Sequence, residues 1–307
     1  MQIWSLDEIR ARIDDLAVIN CMRDALIAHA YGECDTPMPM HLSTGTSEQP
    51  GGEVHMKSSY RRGGKYFALK MATTFHGVGN GMIMLASAET GEPVALLEDS
   101  GHLTDVRTAA AAAMVARELG RADREIGILG TGIQARLTAR FHKLVMPIER
   151  LYLWGRTPEN AAKCAEEIRR YVPDVQIVPS AAEVAKSVNF IVTCTAARSP
   201  LLHARDLRPG THISAIGADS PGKQELDPAI LRAADLLFAD SIAQCEKLGE
   251  LQHAPDQLAR AVEIGEFSQN HSGAGLHTRP GTNMVADFTG LGVEDLFIAE
   301  MIFSKNT

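Results

Sequence analysis

The sequence predicts an α/β protein of two domains: a doubly wound parallel sheet over residues 116–280, and a discontinuous α+β domain built from 1–115 and 281–307. Three observations lead there. The 307 residues exceed what one core usually serves, and 45% of them are apolar, enough to fill two. The texture changes near residue 120, from strands and hairpins to alternating strand and helix. A glycine turn, Gly130-Thr131-Gly132-Ile133-Gln134-Ala135, joins an apolar strand to a helix where the alternation begins.

Helical patterns open the chain around 5–13 and 17–31. Strands are expected at 53–60 and 65–73, with Gly63-Gly64 as a tight hairpin turn between them. GMIMLASA and PVALLEDS flank a turn-like Glu89-Thr90-Gly91-Glu92 and form a second hairpin. LTDVRTAAAAAMVARELG follows. Its alanines favour a helix and allow close packing, and Gly120 ends it.

From residue 125 the strand REIGILG leads through the glycine turn into the helix QARLTARFHKLV. ERLYLWG is the next strand, and Thr157 with Pro158 starts the next helix. VQIV, NFIVTCT, THISAIGA and ADLLFAD are further short apolar runs. Ser180 with Glu183, and Ser241 with Gln244, have capping-box spacing. Short buried strands alternating with helices imply a parallel sheet covered on both faces. In the tail, NMVADFTGLGVEDLFIAEMIF is expected to form a short loop and a final helix that returns to the first domain.

A formal charge of -8 disfavours nucleic acid and anionic membrane surfaces as partners, since both would repel it. A small molecule is the expected partner. Five cysteines, an odd number with no C-x-x-C spacing, suggest free thiols in a reducing compartment and no zinc site. The N-terminus lacks a basic segment followed by an apolar run, and no stretch approaches the length of a membrane span, so a cytoplasmic protein is expected.

The turn at 130–135 fits G-x-G-x-x-A in the context that dinucleotide binding requires. Gly130 permits the tight turn, Gly132 lets a pyrophosphate approach the backbone, and Ala135 lets helix and strand pack closely. Thr131, Ile133 and Gln134 contribute to the helix N-terminus, whose N–H groups and partial positive charge suit phosphates. Thr193 and Thr195, at the end of NFIVTCT, are further cofactor-binding candidates. The bland alternative is a glycine turn without a nucleotide. The second strand of this Rossmann-type domain ends in Leu153-Trp154-Gly155-Arg156-Thr157, with no acid to bond a ribose hydroxyl. Arg156 and Thr157 suit a 2′-phosphate, so NADP(H) is favoured and NAD(H) is the alternative; an ordinary surface arginine would reopen the choice.

Substrate candidates lie mostly in the first domain. With Gly63-Gly64 as the turn, Lys57 faces Lys70 across the hairpin. Like charges placed opposite each other are destabilising unless an anion sits between them, either a substrate carboxylate or a nearby aspartate. Arg107, early in the Ala-rich helix, opposes the helix dipole, which is tolerable if its planar fork grips a carboxylate. A salt bridge to Asp105 or Glu98 would also account for it. Asp219 follows THISAIGA and should emerge at the carboxyl end of a parallel strand, a position suited to acid–base work, although aspartates also favour loops. Lys70 beside it would lower its pKa and burial would raise it. His55 and His76 lack metal-ligand spacing, and no G-x-S-x-G occurs.

ALKMATTF around Lys70, LTDVRTAAAAA around Arg107, GILGTGIQA, IGADSPGKQEL around Asp219 and the closing VADFTGLGVEDL resemble the ornithine cyclodeaminase/μ-crystallin family along nearly the whole chain. The resemblance implies a homodimer in which a discontinuous substrate and dimerisation domain accompanies a Rossmann domain. It also implies that Lys70 and Arg107 hold a substrate carboxylate and that Asp219 exchanges protons with an amine, imine or water; the hairpin pairing adds Lys57 as an assisting cation. Lys70 and Asp219 would then be the catalytic pair. Ornithine-cyclising members carry an arginine after a proline where this chain has Pro39-Met40-His41, and a glutamate where Val54 aligns. The strand His55–Tyr60 is more similar to the branch with ectoine-utilisation proteins and hydroxyproline dehydratases.

Three functions follow from the resemblance. The first is an NAD(P)(H)-dependent imine reductase or amino-acid dehydrogenase, in which hydride passes between the nicotinamide and a substrate α-carbon. The second is a lyase, cyclodeaminase-like or dehydratase-like, that uses NAD(P) without net consumption. The third is a nucleotide-dependent binding protein like μ-crystallin.

Overall fold

The computed structural model describes residues 1–46, 50–271 and 281–304. Two compact units emerge, Met1–Arg107 with Leu291–Thr307, and Thr108–Gly290. The first division lies within the Ala-rich helix, ahead of the expected 115/116, and the second lies beyond the expected 280/281.

In the first unit, β1 (Gln2–Ser5) leads into α1 (Leu6–Arg10) and α2 (Asp15–Ala30). Asp14 caps α2 by accepting the Ala17 N–H at 2.8 Å, and Val18, Met22, Ala25 and Leu26 recur at helical spacing along its buried stripe. Then come β2 (Cys34–Asp35), β3 (Met40–Gly45), β4 (Pro50–Arg61), β5 (Tyr66–Phe75), β6 (Val78–Ser87) and β7 (Pro93–Glu98). They form one sheet in the order β1-β7-β6-β5-β4-β2, with β3 on β4. Both expected hairpins are present, and Lys57 pairs with Lys70 in the register between β4 and β5.

The two faces of this sheet differ because side chains alternate along each strand. One face packs against the C-terminal helix, Gly292–Ser304. The other carries a row of methionines in register across four strands, Met40, Met56, Met71 and Met82. Beside that row Leu42, Leu69, Phe75 and Val78 are exposed.

The Ala-rich helix is α3 (His102–Glu118), buried from Ala109 to Ala116, and Gly120 beyond it has φ +67°. The second unit then alternates as expected: β8 (Glu125–Leu129), α4 (Ile133–Val145), β9 (Arg150–Trp154), α5 (Pro158–Ile168), β10 (Asp174–Ile177), α6 (Ala181–Ser187), β11 (Phe190–Thr193). It continues with β12 (Arg198–Leu202), β13 (His212–Ala215), β14 (Gln224–Leu226), α7 (Pro228–Ala233), β15 (Leu236–Ala239), α8 (Ile242–Leu248), β16 (Ala261–Glu263), α9 (Ile264–His271) and β17 (Met284–Asp287). Eight strands make a parallel sheet in the order β10-β9-β8-β11-β13-β17-β15-β16. The direction of strand order reverses between β8 and β11, the topological switch point where open α/β sheets bind ligands.

Three local expectations are corrected. Met284–Asp287, expected as loop, is a strand in the middle of the parallel sheet; a run of four residues is too short for periodicity to reveal. Ser241 precedes α8 without a side-chain cap: the Gln244 N–H goes to the Ser241 carbonyl oxygen at 3.2 Å, and the Gln244 side chain reaches Thr289 and Gly290. Thr157 is the N-cap of α5 but makes no side-chain cap bond, while Ser180 does accept the Glu183 N–H at 3.2 Å.

Candidate active site

In the second unit the glycine turn opens α4 at the switch point. Gly130 has φ +129°, and a Cβ there would lie 2.7 Å from both the carbonyl oxygen and Sγ of Cys194, so glycine is required on both counts. Gly132 differs. It is the N-cap residue of α4 with φ −82°, and a Cβ on it would meet nothing within 4 Å. The fold itself does not demand glycine there; a ligand approaching the backbone would. Ile133 is exposed at the same helix end and Ala135 is fully buried beneath it. These residues fit a dinucleotide pyrophosphate held by the first N–H groups of a helix.

The other proposed cofactor residues are placed as follows. Thr131 packs against Gly155, where a Cβ would come within 2.3 Å of its Cγ2. Arg156 and Thr157 are exposed just after β9, and Arg156 pairs with nothing among the described residues. Thr193 is fully buried, and its hydroxyl donates to Glu225 at 2.7 Å. Thr195 donates its N–H to the same carboxylate at 2.6 Å and accepts the Ala197 N–H on its hydroxyl.

Asp219 lies in the loop after β13, with its side chain 42% exposed. Its Oδ1 accepts from Lys223 Nζ at 2.5 Å and from Ser220 Oγ at 3.0 Å. The cation that meets it within this unit is thus Lys223, one helical turn away in sequence and not singled out by its pattern.

In the first unit the expected cations do come together. Lys57, Lys70 and Arg107 are buried around Asp295, a residue of the first turn of the C-terminal helix. Lys70 Nζ is 3.5 Å from Asp295 Oδ2, and Arg107 Nε is 3.3 Å from Oδ1. Arg107 also reaches Glu294 at 3.4 Å. Burial opposes the charge on Asp295, but Lys70, Arg107 and Lys57 outweigh it and hold its pKa below the ordinary aspartate value. A close approach makes this possible: a Cβ on Gly292 would lie 2.3 Å from the Ser58 carbonyl oxygen, so glycine lets the helix start directly on β4. Of the two anions that can separate the lysine pair, a substrate carboxylate or an aspartate, the structure supplies an aspartate. Neither Asp295 nor Glu294 stood out in the sequence, because acids in a first helical turn are ordinary.

His55 stacks edge-on against His41 at 4.4 Å and sits 3.5 Å from Glu53, a local cluster on β3 and β4.

A family model, that of the ornithine cyclodeaminase/mu-crystallin family, matches residues 16–307. The chain belongs to that family. Within it, the chain is 36% identical to an uncharacterized cyclodeaminase, y4tK, of Sinorhizobium fredii, over 99% of this chain and 96% of that one. It is 33% identical to a Delta(1)-pyrroline-2-carboxylate reductase of Bacillus cereus over 74% of this chain and 71% of that one. Among solved structures, an archaeal alanine dehydrogenase dimer with bound NAD superposes with a TM-score of 0.86 at 26% identity, covering 100% of this chain and 97% of that one. That structure thus shares the α/β fold along the whole chain. No helix among the described residues is long and apolar enough to cross a membrane.

Proposed function

We propose that this chain is an NAD(P)(H)-dependent enzyme that reduces the carbon–nitrogen double bond of an imino acid, or oxidises the corresponding amine, at the α-carbon of a small amino acid or cyclic ketimine. The observation that carries this is the open space at Gly132, on the N-terminus of α4 at the switch point, in a chain that also buries Lys70 and Arg107 as a cation cluster. Relatives named as an imino-acid reductase and an alanine dehydrogenase support the same chemistry.

When bound, the nicotinamide supplies or accepts a hydride. Thr131, Gly132, Ile133 and Gln134 hold the nucleotide through backbone N–H groups at the helix start, while Gly130, whose own N–H is donated to the Trp154 carbonyl oxygen at 2.9 Å, makes the turn. Thr195 lies on the neighbouring loop, with the buried Thr193 behind it. Arg156 and Thr157 favour NADP(H) over NAD(H) by offering charge and a hydroxyl to a 2′-phosphate. Lys70 and Arg107, with Lys57, bind the substrate carboxylate. They are already fixed by Asp295 and Glu294, so little reorganisation is needed when the carboxylate binds and is oriented. Asp219, oriented by Lys223 and Ser220, exchanges the proton with the substrate nitrogen. The methionine-lined sheet face receives a second copy of the chain, in line with the dimer formed by the alanine dehydrogenase relative.

The test is NADPH or NADH oxidation with a panel of cyclic ketimine carboxylates, and with 2-oxo acids plus ammonia. No turnover across that panel with either nucleotide would sink the proposal. Asp219→Asn should lower kcat with little change in KM, whereas Arg107→Ala should raise KM; the reverse pattern overturns these roles. A second activity is favoured by the y4tK relative, named a cyclodeaminase: ammonia release with catalytic NAD(P). Ammonia without net nucleotide consumption would identify it.

A further inference from the structure

Glu225 is a fully buried carboxylate on β14 that touches neither of the residue sets proposed for substrate carboxylate and proton exchange. Its Oε1 accepts the Thr195 N–H at 2.6 Å. Its Oε2 accepts the Thr193 hydroxyl at 2.7 Å and the Gly217 N–H at 3.0 Å. Thr193 ends β11, and Gly217 follows β13, the neighbouring parallel strand. The loop beyond β11 is also tied to β8, because Cys194 donates its N–H to the Leu129 carbonyl oxygen at 2.8 Å, one residue before Gly130. A single side chain thus links the loop beside the glycine turn to the loop that carries Asp219.

The surroundings are built around that carboxylate. A Cβ on Gly217 would lie 2.4 Å from Glu225 Oε2 and from the Thr195 carbonyl oxygen, so the two loops close on Glu225 only because residue 217 is glycine. From behind, Glu250 accepts the N–H groups of Glu225 and Leu226 at 2.7 and 3.1 Å, and it donates its own N–H to Asp287 at 3.0 Å. The Thr195 and Gly217 N–H groups and the Thr193 hydroxyl all donate to the Glu225 side chain, so they require an acceptor at both oxygens. An apolar residue would pack there at less desolvation cost, but it would leave two loop N–H groups and a hydroxyl unsatisfied.

We infer that Glu225 is a positioning residue, which sets the loop Thr193–Thr195 against the loop Gly217–Asp219 so that nucleotide and proton-exchanging group keep one fixed relation. This rests on the function proposed above. Glu225→Gln keeps the shape but places an amide NH2 against at least one of the three donors. Binding of NADPH and NADH is measured by nucleotide fluorescence, alongside kcat and thermal unfolding. Asp240→Asn serves as the control: Asp240 is equally buried in the same unit and accepts from Ser241, Thr289 and Gly290 rather than from these loops.

The expected result is a Kd raised by about tenfold or more in Glu225→Gln, with kcat also reduced, while Asp240→Asn loses thermal stability at an unchanged Kd. If Glu225→Gln does not fold, Thr193→Val removes one donor from the same carboxylate and should raise Kd by a smaller factor. Binding by the unmodified protein with the same Kd and kcat in the Glu225 and Thr193 variants overturns this inference alone. Failure of the unmodified protein to bind either nucleotide overturns the proposed function with it.

Discussion

Asp295 is the residue on which the cation cluster depends, and its replacement gives the most direct test of how the first unit is held. Asp295→Asn keeps the shape and removes the charge that faces Lys70 at 3.5 Å and Arg107 at 3.3 Å. At an effective dielectric constant of about 20, each separation corresponds to roughly 5 kcal/mol of attraction. Desolvating the carboxylate offsets several kcal/mol of that sum, and breaking a buried pair from one side costs about 3–5 kcal/mol overall. At about 2–4 °C per kcal/mol, the melting temperature should fall by about 6–20 °C. Thermal unfolding followed by circular dichroism reads this. Adding Lys70→Met should restore part of the loss, because it removes one of the cations left without a counter-charge. The native Asp295 pKa is depressed, so its contribution is present above the ordinary aspartate range and is lost as pH falls through the folded value. Acid should therefore destabilise the native protein more steeply than Asp295→Asn. A fall below about 2 °C, the scale of an exposed ion pair, would refute the idea that this carboxylate holds the lysines together.

Gly132→Ala should leave the melting temperature nearly unchanged, since its Cβ enters open space, yet weaken nucleotide binding; unchanged binding would mean that no ligand approaches that backbone. Arg156→Ala should raise the Kd for NADPH by about tenfold and leave NADH alone, and equal effects on both would remove Arg156 from the 2′-phosphate. Burial pushes the Glu250 carboxyl up to about 9 and that of Asp287 to about 7. The folded chain therefore keeps protons that the unfolded chain has released above the ordinary carboxylate range. Stability should fall as pH rises through neutrality toward about 9. Glu250→Gln should flatten that slope in a pH series of unfolding curves; an unchanged slope would exclude Glu250 as its source.

Much of this molecule could be read from local pattern. The hairpin register that sets Lys57 against Lys70 followed from counting outward from Gly63-Gly64, because a two-residue turn fixes pairing on both strands. The glycine turn was legible because its chemistry lies within six adjacent residues, and the alternation after residue 120 gave the parallel sheet. The strand Met284–Asp287 is not legible in the sequence, since four residues carry no period and only the flanking strands β13 and β15 make the segment a strand.

The sequence by itself determined the two-domain α/β class, the glycine turn between strand and helix and the identity of the buried cations, all of which depend on residues close together in the chain. Tertiary structure alone decided what those groups meet. Asp295 reaches Lys70 and Arg107 from the far end of the chain, and Glu225 reaches Thr193, Thr195 and Gly217 from another strand. The physical reason is that a buried charge or donor takes whichever partner folding carries to it, and separation along the chain does not reveal that partner.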